Sequence, residues 1–566
     1  MARFALCLGT GRGNPRVYPL RYEKPSPEKQ TGLSGGWSTE LYAAVHLDRN
    51  PAFLISAAID HMTIANLNIE EATERARKGT SVLFVRRMIA VLITFVSTIT
   101  IARLVTPEAF GLANMSSVLL ALALVFRDFG LTNAMMRKAE IDPEELSFLF
   151  WLNAGLVTLV TAVLAIAAPY VAAFYHEPIV TWVILVSLIG FFISGITQQH
   201  ASLMNRNLRF GTVAIIDTVS LLVGFATTLT IAIVRRDVWA IVFGSLAQVL
   251  TASILFAVMS GWRPSRPQRP RELGALLKFG VNSSLYSLSV FLSNNIAVIL
   301  IGHFLGASPL GQFNRAQALF QLPTANITQP IVAATLPLLA RLSGHAEEYR
   351  AAYARLQRQL TVFLFPLAVT LSFAAVPLLI ALLGKRWEVA GEVLAALAPT
   401  LGAHVFGYAA GDLFLTQNRS AELRTLGLVE LAIRVGSVAL LIPYGLVMAA
   451  CGFTISTYVA AALRVFVVGR TGPVNRIDQL RAAGAGVPPT IGALLACLVA
   501  VAVTPDAWLS TWRAGIIITA GATGALLMGL MFAVSRRALG EFADAFGLSR
   551  LLRIIQRRTG FAHTTS

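Results

Sequence analysis

Charged residues are scarce in this chain. They make up 13% of its 566 residues, whereas soluble globular proteins carry about a quarter. Hydrophobic residues make up 55% and the mean hydropathy is +0.67. This composition excludes a soluble enzyme, which needs a charged surface, and an intrinsically disordered protein, which lacks apolar residues.

Features of several other protein classes are also missing. Three cysteines, at positions 7, 451 and 497, are too few for a disulfide-framed secreted domain. No GxxxxGK(S/T) sequence occurs, which excludes a P-loop ATPase within the chain. The histidines have no metal-ligand spacing, so we predict neither a metal site nor a cofactor.

Long apolar runs fill almost everything after residue 80. A helix needs about 20 apolar residues to cross a bilayer, and we count fourteen such runs. We therefore predict an all-α integral membrane protein with about 14 transmembrane helices. The predicted spans are 82–104, 110–133, 147–174, 179–200, 211–234, 238–260, 276–304, 308–340, 358–383, 389–416, 422–442, 445–468, 486–504 and 513–535.

The span 308–340 is the most polar and contains three prolines. Pro323, Pro330 and Pro337 recur every seven residues and so fall on nearly one face of a helix. This pattern predicts a bent or broken helix buried among others, because freed backbone groups cannot face lipid.

Basic residues alternate strongly between the two sides of the predicted membrane. With the N-terminus inside, thirty Lys and Arg fall on the cytoplasmic side and six on the outer side. The positive-inside rule then predicts cytoplasmic N- and C-termini and an even number of spans. Most of the net charge of +17 is therefore a topology signal, and no nucleic-acid partner is predicted.

The segments between spans are short. None between residues 80 and 540 is long enough to fold as a catalytic domain. We therefore predict that the protein is not an enzyme and that it works within the membrane.

The two ends of the chain do not belong to this pattern. Residues 1–61 show no clear period, and an amphipathic lead-in covers 62–80. One hypothesis is that Met62 is the true start and that 1–61 is a gene-model extension; the alternative is a disordered cytoplasmic tail. Residues 536–566 are predicted to form a basic cytoplasmic tail.

Two segments indicate an internal duplication. Residues 101–122 align without gaps on 301–322, and 205–219 resemble 418–432. The first pair shares five identical residues: Ile101/Ile301, Gly111/Gly311, Asn114/Asn314, Leu119/Leu319 and Leu122/Leu322.

The duplication predicts two pseudo-symmetric six-helix lobes. The N-lobe covers 81–265 and the C-lobe 272–470, with two further helices in 486–535 outside the repeat. Because six is even, the repeats are parallel, a transporter plan in which the substrate path lies between the halves.

Several segments resemble a known family. The run TIARLVTPEAFGLANMSSVLLALALVFRDFGLTNAMMRK (100–138) is similar to the opening of Wzx-type, colanic-acid-exporter-like members of the polysaccharide transporter family. Residues 233–248, 300–317 and 382–399 fit the same resemblance in the same order, so it covers about 70–480.

The resemblance implies a fold and a function. The fold would be that of the MATE-like multidrug/oligosaccharidyl-lipid/polysaccharide superfamily, in a multi-pass protein of the bacterial inner membrane. The function would be export of polyprenyl-pyrophosphate-linked oligosaccharides, with membrane lipids, a polysaccharide polymerase and glycosyltransferases as partners. Where the family usually has an acidic residue in span 7, this chain reads SNNIAV at 293–298, which puts a carboxylate role there in doubt.

A pyrophosphate head group requires cations inside a polar cavity, and the guanidinium fork of Arg suits phosphate oxygens best. Arg315, Arg127 and Arg434 lie inside predicted spans. The alternatives are snorkelling to an interface for Arg315 and Arg127. For Arg434 the alternative is an intrahelical ion pair with Glu430, four residues earlier.

Further polar candidates lie in span 7 and at the start of span 1. Asn294 and Asn295 widen a polar helix face that we interpret as cavity lining, although such residues also join helices in membranes. Arg86 and Arg87 are expected to meet lipid phosphates or the substrate's pyrophosphate at the cytoplasmic mouth.

Three carboxylates are candidates for proton coupling. Asp217 and Glu430 fall at corresponding positions of the two repeats, and Asp128 adjoins Arg127 in span 2. Carboxylates within spans are costly and often functional. Hydration near the cytoplasmic face is the competing account for Asp217.

Other functions are also compatible with this fold. A MATE-type small-molecule antiporter or a lipid II flippase would share it, but an antiporter for cationic drugs favours an acidic cavity. An integral-membrane polysaccharide polymerase would need a large loop with carboxylates, which this chain lacks.

Overall fold

A computed structural model describes residues 90–127, 143–207, 209–265, 291–292, 295–417, 419–470, 472–505 and 510–533. These parts are almost entirely helical. The N-terminal 1–61 segment, the lead-in 62–80, most of span 7 and the tail 536–566 lie outside the described residues, so the predictions made for them stay predictions.

The helices are numbered in chain order. The N-lobe contains α1 (Ala90–Leu104), α2 (Pro107–Arg127), α3 (Pro143–Tyr175), α4 (Ile179–Arg206), α5 (Phe210–Val234) and α6 (Val238–Ser260). The C-lobe contains α7 (Asn295–Leu305), α8 (Ala307–Pro323), α9 (Gln329–Arg341), α10 (Ala346–Leu383), α11 (Glu388–Leu397), α12 (Thr400–Thr416), α13 (Ser420–Leu441) and α14 (Leu446–Val468). The remaining helices are α15 (Arg476–Gly484), α16 (Val487–Val503) and α17 (Ser510–Ala533).

The structure confirms an all-α, multi-pass membrane architecture. Ten candidate spans among the described residues are long and apolar enough to cross a bilayer, one of which combines α15 and α16. Helix α11 with α12 makes an eleventh span, bent by 50°. The described parts of α1 and α7 are shorter, so the count of fourteen stays a prediction.

The spans expose apolar side chains as lipid-facing helices do. On α3, Ile166 is 71% exposed and Tyr170 is 74% exposed, while Val157 and Ala168 on the same helix are buried. A helix that is apolar all round is typical of a membrane span, because lipid rather than water meets its outer face.

Short turns join consecutive helices at one end of the bundle. Gly306, Gly384 and Gly445 adopt φ of 84°, 102° and 105°, a backbone that glycine reaches without strain. We call this the turn end. We call the opposite end the basic end, because arginines gather at the helix ends there: Arg206, Arg209, Arg341, Arg419 and Arg470.

The two lobes cross at a pair of equivalent glycines. A Cβ added to Gly111 of α2 would lie 1.8 Å from the carbonyl oxygen of Ala307, and one added to Gly311 of α8 would lie 1.8 Å from that of Pro107. The contact is reciprocal, and the equivalent residues, Gly111 with Gly311 and Pro107 with Ala307, are each separated by 200 positions in the sequence. The structure therefore confirms two pseudo-symmetric lobes, related at this crossing as the aligned segments predicted.

The proline-rich span departs from regular α geometry. A π-helical segment, Thr324–Thr328, separates α8 from α9 and lies between Pro323 and Pro330. The broken helix predicted from the prolines takes the form of a π segment within a continuous helical path. The prediction that the span is buried among other helices is wrong for 321–341, where Thr328 and Leu339 are buried and most other residues are exposed.

The last two spans pack beside the duplicated region. Helices α16 and α17 contact each other at Gly492 and Gly524, and both pack against α10 of the C-lobe. A Cβ on Gly492 would lie 2.2 Å from the carbonyl oxygen of Gly524, so the two backbones touch as small residues allow in membranes.

Candidate functional site

Hydrogen bonds between side chains and backbone join the lobes at the turn end. Helices of the N-lobe provide one partner in each case and the C-lobe provides the other. The bonds are Trp387 Nε1 to the Ala102 carbonyl (2.8 Å), Arg103 to the carbonyls of Ala381 (2.7 Å) and Leu382 (2.9 Å), and His303 Nδ1 with the Phe174 carbonyl (2.7 Å).

An aromatic contact lies beneath these bonds. The rings of Phe110 and Trp387 meet edge to face, with centroids 5.5 Å apart. Trp387 is completely buried. Together with the glycine crossing, these contacts hold the lobes together at the turn end.

Arg315 lies next to these turn-end contacts, against the ring of Phe110. It is half-buried on α8, and its guanidinium carbon lies 4.3 Å from the ring centroid of Phe110 on α2. Its Nη2 donates to Oδ1 of Asn314 at 2.6 Å. The cation of one lobe is thus held against an aromatic ring of the other, inside the protein and not at the lipid interface.

A cavity of about 200 Å³ opens beside Arg315 within the N-lobe. Helices α1, α2, α5 and α6 line it, and Arg315 is its C-lobe wall. Its polar lining comes from hydroxyls and one amide: Thr94, Ser97, Thr98, Thr228, Ser245 and Gln248. Among the described residues, the buried Oγ of Ser97 makes no hydrogen bond. The described part of the lining offers one cation and several neutral hydrogen-bonding groups and contains no carboxylate.

The corresponding region of the C-lobe is charged. Glu430 on α13 forms an ion pair with Arg464 on α14. Arg434 stacks over Phe453 of α14, with its guanidinium carbon 4.6 Å from the ring centroid. His404 of α12 lies within electrostatic range of both arginines.

This geometry corrects the sequence-based interpretation of Glu430. Its ion-pair partner is Arg464 on the neighbouring helix and not only a residue of its own helix. Arg464 lies within α14 and inside the predicted span 445–468, but it was not among the candidate residues. A charge one turn from a helix end can point inward when a carboxylate stands opposite.

Asp412 is a further carboxylate that the sequence analysis missed. It lies on α12, is 6% exposed, and its Oδ2 has no hydrogen-bond partner among the described residues. Nearby on α10, the hydroxyl of Tyr349 bonds with Oγ1 of Thr416 at 2.7 Å. The available signal was its position as the single acidic residue in the apolar run 393–421.

The other sequence-predicted residues are dispersed. Arg127 reaches across to α4, where Nη1 donates to Ser194 Oγ and Nη2 to Gln198 Oε1, both at 3.3 Å. Asp217 is half-buried on α5 and engaged in a polar interaction. Asn295 donates to the Phe291 carbonyl at 2.9 Å, which is a local helix contact.

The structure therefore brings together only some of the candidates. Glu430, Arg434 and Arg464 form one cluster, while Arg315 belongs to the lobe crossing. Four candidates lie outside the described residues: Arg86, Arg87, Asp128 and Asn294.

Residues 100–392, just over half of the chain, match the family of polysaccharide biosynthesis proteins. The chain belongs to this family. The matched region begins in α1 and ends in α11, so it includes the lobe crossing, Arg315 and the N-lobe cavity.

Curated relatives are similar over part of the family region and beyond. The lipopolysaccharide biosynthesis protein WzxC of Escherichia coli (strain K12) is 24% identical over 56% of this chain and 65% of its own length. The succinoglycan biosynthesis transport protein ExoT of Rhizobium meliloti (strain 1021) is 23% identical over 54% of this chain and 62% of its own. The chain thus matches less than two thirds of either relative.

A solved structure shares the fold. The lipid II flippase MurJ, in an inward closed conformation, superposes with a TM-score of 0.60 and 13% sequence identity. The match covers 80% of this chain and 98% of MurJ. At this identity the likeness shows a common fold.

Proposed function

We propose that this protein is a flippase that exports a polyprenyl-pyrophosphate-linked oligosaccharide across the bacterial inner membrane by alternating access. Membership of the polysaccharide biosynthesis family and a shared fold with a flippase support the class. The substrate would feed exopolysaccharide or lipopolysaccharide synthesis, between the glycosyltransferases that build the repeat unit and the polymerase that joins repeat units. The protein would transport this substrate without chemically changing it.

One observation supports an anionic head group on the substrate. Arg315 is half-buried where the lobes meet, and it forms one wall of a cavity whose described lining residues include no carboxylate. Phosphate oxygens take strong charge-assisted hydrogen bonds from a guanidinium. The hydroxyls and the amide of the same cavity suit the sugar or the remaining phosphate oxygens.

The lobe contacts suggest how access would alternate. If the N- and C-termini are cytoplasmic, the turn end faces outward and this conformation is closed to the outside. Opening outward requires the Trp387–Ala102 and Arg103–Leu382 bonds to break and the glycine crossing to separate. Arg315 would then lose Phe110 and become exposed to the outer side together with its bound head group.

The membrane potential is sufficient to drive this movement. An inside-negative potential favours outward transfer of an anion by about 2.3 kcal/mol per charge per 100 mV. A head group with about two negative charges would gain roughly 4–5 kcal/mol per 100 mV on this basis. Cation coupling through Asp217, Glu430 or Asp128 is therefore an additional mechanism and not a necessity.

A chromosomal deletion tests the function directly. We expect lipid-linked repeat units to accumulate in the inner leaflet of the deletion strain and surface polysaccharide to be lost. Complementation with the intact chain should restore both. Normal arrival of repeat units at the outer leaflet in the deletion strain would refute the flippase.

Reconstituted vesicles separate the proposal from related functions. We expect translocation of a fluorescent lipid-linked oligosaccharide, with little movement of lipid II and no efflux of a cationic dye. Preferential movement of lipid II or of the dye would instead identify a lipid II flippase or a small-molecule antiporter.

A further inference from the structure

A second polar cavity lies at the basic end, far from the lobe crossing. It occupies about 460 Å³ between the first turns of α10 and the short helix α15. Three arginines and two carboxylates line it, namely Arg350, Arg358, Arg481, Glu347 and Asp478. This cavity belongs neither to the lobe interface nor to the C-lobe charge cluster.

One arginine of this cavity is paired with both carboxylates of its described lining. Arg350 pairs with Asp478 of α15 at 3.2 Å and with Glu347 at 3.4 Å, and its Nε donates to the Pro473 carbonyl at 3.0 Å. Both carboxylates are thus engaged by one arginine, which fastens α15 to α10. The three arginines and two carboxylates of the described lining together leave one positive charge in excess. Arg358 also donates to the Ala354 carbonyl at 3.3 Å.

Helix α15 is held in place with its polar side inward. Asn475 and Asp478 form a capping box at its start, and Gln479 is 1% exposed and donates to the Val465 carbonyl at 3.4 Å. By contrast, Ile477 is 62% exposed and Leu480 is 59% exposed. A helix that buries an amide and exposes large apolar side chains is typical of the membrane interface, where acyl chains cover those side chains.

The length of α10 places the cavity at the level of the lipid head groups. Its 38 residues span about 57 Å at 1.5 Å per residue, whereas the hydrocarbon core is about 30 Å thick. The charged residues are confined to the first third of the helix, and from Thr361 onward it is apolar. Arg358 therefore stands at the boundary between hydrocarbon and head groups. On α15 the exposed Ile477 and Leu480 directly precede Asp478 and Arg481, which line the cavity.

We propose that the cavity between α10 and α15 binds the phosphate of an anionic membrane phospholipid through Arg358 and Arg481, with the acyl chains against Ile477 and Leu480. The cavity is polar and net positive, its outer edge is apolar, and it lies where phospholipid phosphates lie. Basic residues at the membrane surface attract anionic lipids in this way. The bound lipid would anchor the connection between the C-lobe and α16–α17.

Lipid binding to the purified full-length chain tests this inference. Phosphatidylglycerol is titrated into micelles or nanodiscs of phosphatidylcholine, and bound lipid is counted by native mass spectrometry. We expect Arg358→Gln with Arg481→Gln to weaken phosphatidylglycerol binding about thirtyfold, at about fivefold for each arginine. Lysine at both positions should retain most of the affinity, because the charge is kept.

The matched control removes two other arginines from the same end. Arg341 and Arg355 are exposed, and neither lines the cavity. Arg341→Gln with Arg355→Gln should leave the phosphatidylglycerol affinity unchanged. An equal loss in both double variants, or none in either, would overturn the proposal.

A final arm separates a lipid from a free anion. Inorganic phosphate lacks acyl chains, so it should compete only weakly with phosphatidylglycerol. Displacement of the lipid by inorganic phosphate at similar concentration would contradict the proposal, because the cavity would then be a simple anion site. The test needs no transported substrate, so its outcome is independent of the proposed flippase activity.

Discussion

The last helix pairs of the two lobes share a backbone plan but differ in chemistry. Gly244 is the seventh residue of α6 and Gly452 the seventh of α14, and each allows the preceding helix to approach closely. In the N-lobe the pair borders a cavity lined by hydroxyls and an amide. In the C-lobe the pair carries Glu430, Arg434 and Arg464.

The two lobes keep glycines at equivalent helix crossings but differ in the polar side chains between those helices. Glycines at helix crossings are constrained by backbone contact, whereas the polar groups between the helices are constrained only by the need for partners. We interpret the neutral N-lobe cavity with Arg315 as the substrate side. We interpret the C-lobe charge cluster as the structural or coupling side.

The lobe crossing should be the most sensitive feature common to both lobes. In Gly311→Val the new side chain meets the backbone of Pro107, which cannot rotate away as a side chain can. We expect the turn-end closed state to lose about 3 kcal/mol, the upper end of overpacking costs. Distances between spin labels at the turn ends of the two lobes, in a chain without other cysteines, should increase.

Gly111→Val should have the same effect, because the contact is reciprocal. Gly436→Val is the control, since no atom lies within 4 Å of a Cβ there. A closed turn end in both crossing variants would show that the reciprocal contact does not hold the lobes together.

The C-lobe charge cluster should respond to loss of its carboxylate. Glu430→Gln leaves Arg464 without its ion-pair partner while both groups are largely buried. Breaking a buried pair costs about 3–5 kcal/mol, and we expect about 2 kcal/mol because Arg464 keeps 26% exposure. Thermal unfolding in detergent measures the change.

Two variants sharpen this measurement. Glu430→Gln with Arg464→Gln should recover part of the lost stability, because no charge is then left unpaired. Glu347→Gln on α10 removes a pair with Arg350 in which the Glu347 side chain is 85% exposed and should cost under about 1 kcal/mol. Equal losses at Glu430 and Glu347 would contradict the buried-cluster interpretation.

Arg315→Gln tests the substrate side of the comparison. A hydrogen bond to a charged group contributes about 1.5–3 kcal/mol, so we expect translocation to fall at least about tenfold. Arg315→Lys should retain part of the activity, because it keeps the charge without the planar fork. Flux of a lipid-linked oligosaccharide in vesicles is the measurement.

Arg236→Gln is the matched control for Arg315, since Arg236 is an exposed turn-end arginine of the N-lobe. Unchanged flux in Arg315→Gln, or an equal fall in Arg236→Gln, would remove Arg315 from the binding site.

The smallest effect is expected at the paired glycines of α6 and α14. In Gly244→Ala the new Cβ meets Oγ1 of Thr228, whereas in Gly452→Ala it meets the Ser437 carbonyl. Each should destabilise by about 1 kcal/mol. Adding Thr228→Ala should restore only part of the stability of the first variant, because it removes Oγ1 but leaves the Cβ of residue 228 at 2.8 Å. No side-chain truncation at position 437 should restore the second, because there the clash is with backbone.

Thermal unfolding of these variants is compared with Gly427→Ala, where a Cβ meets no atom within 4 Å. That control should be neutral or stabilising, because alanine favours the helix. A stable Gly452→Ala chain would show that α13 and α14 are not in backbone contact.

Much of the fold follows from local sequence patterns. Apolar runs set the helix positions to within a few residues, as in Val238–Ser260 against the predicted 238–260. The alignment of Gly111 with Gly311 predicted equivalent lobes, and the prolines of span 308–340 predicted an interrupted helix. The 50° bend between α11 and α12 was not predicted, although Pro399 lies at the break between them.

The candidate site was less predictable. Arg315 was identified because a charge inside a polar, proline-rich span stands out in sequence, but its contact with Phe110 joins residues 205 positions apart. Arg464 was not among the candidates although it lies inside a predicted span, and Asp412 was overlooked within an apolar run.

The sequence by itself determined that this chain is a helical membrane protein built from a duplicated unit, because hydropathy and repeat spacing are local properties of the chain. Only the tertiary structure decided that neutral groups line the described N-lobe cavity beside Arg315 and that charges cluster between the last helices of the C-lobe. Glu430 pairs with Arg464 of the next helix, and Arg315 meets Phe110 of the other lobe. Helix packing determines which of these side chains meet. The order of residues along a single helix does not encode that packing.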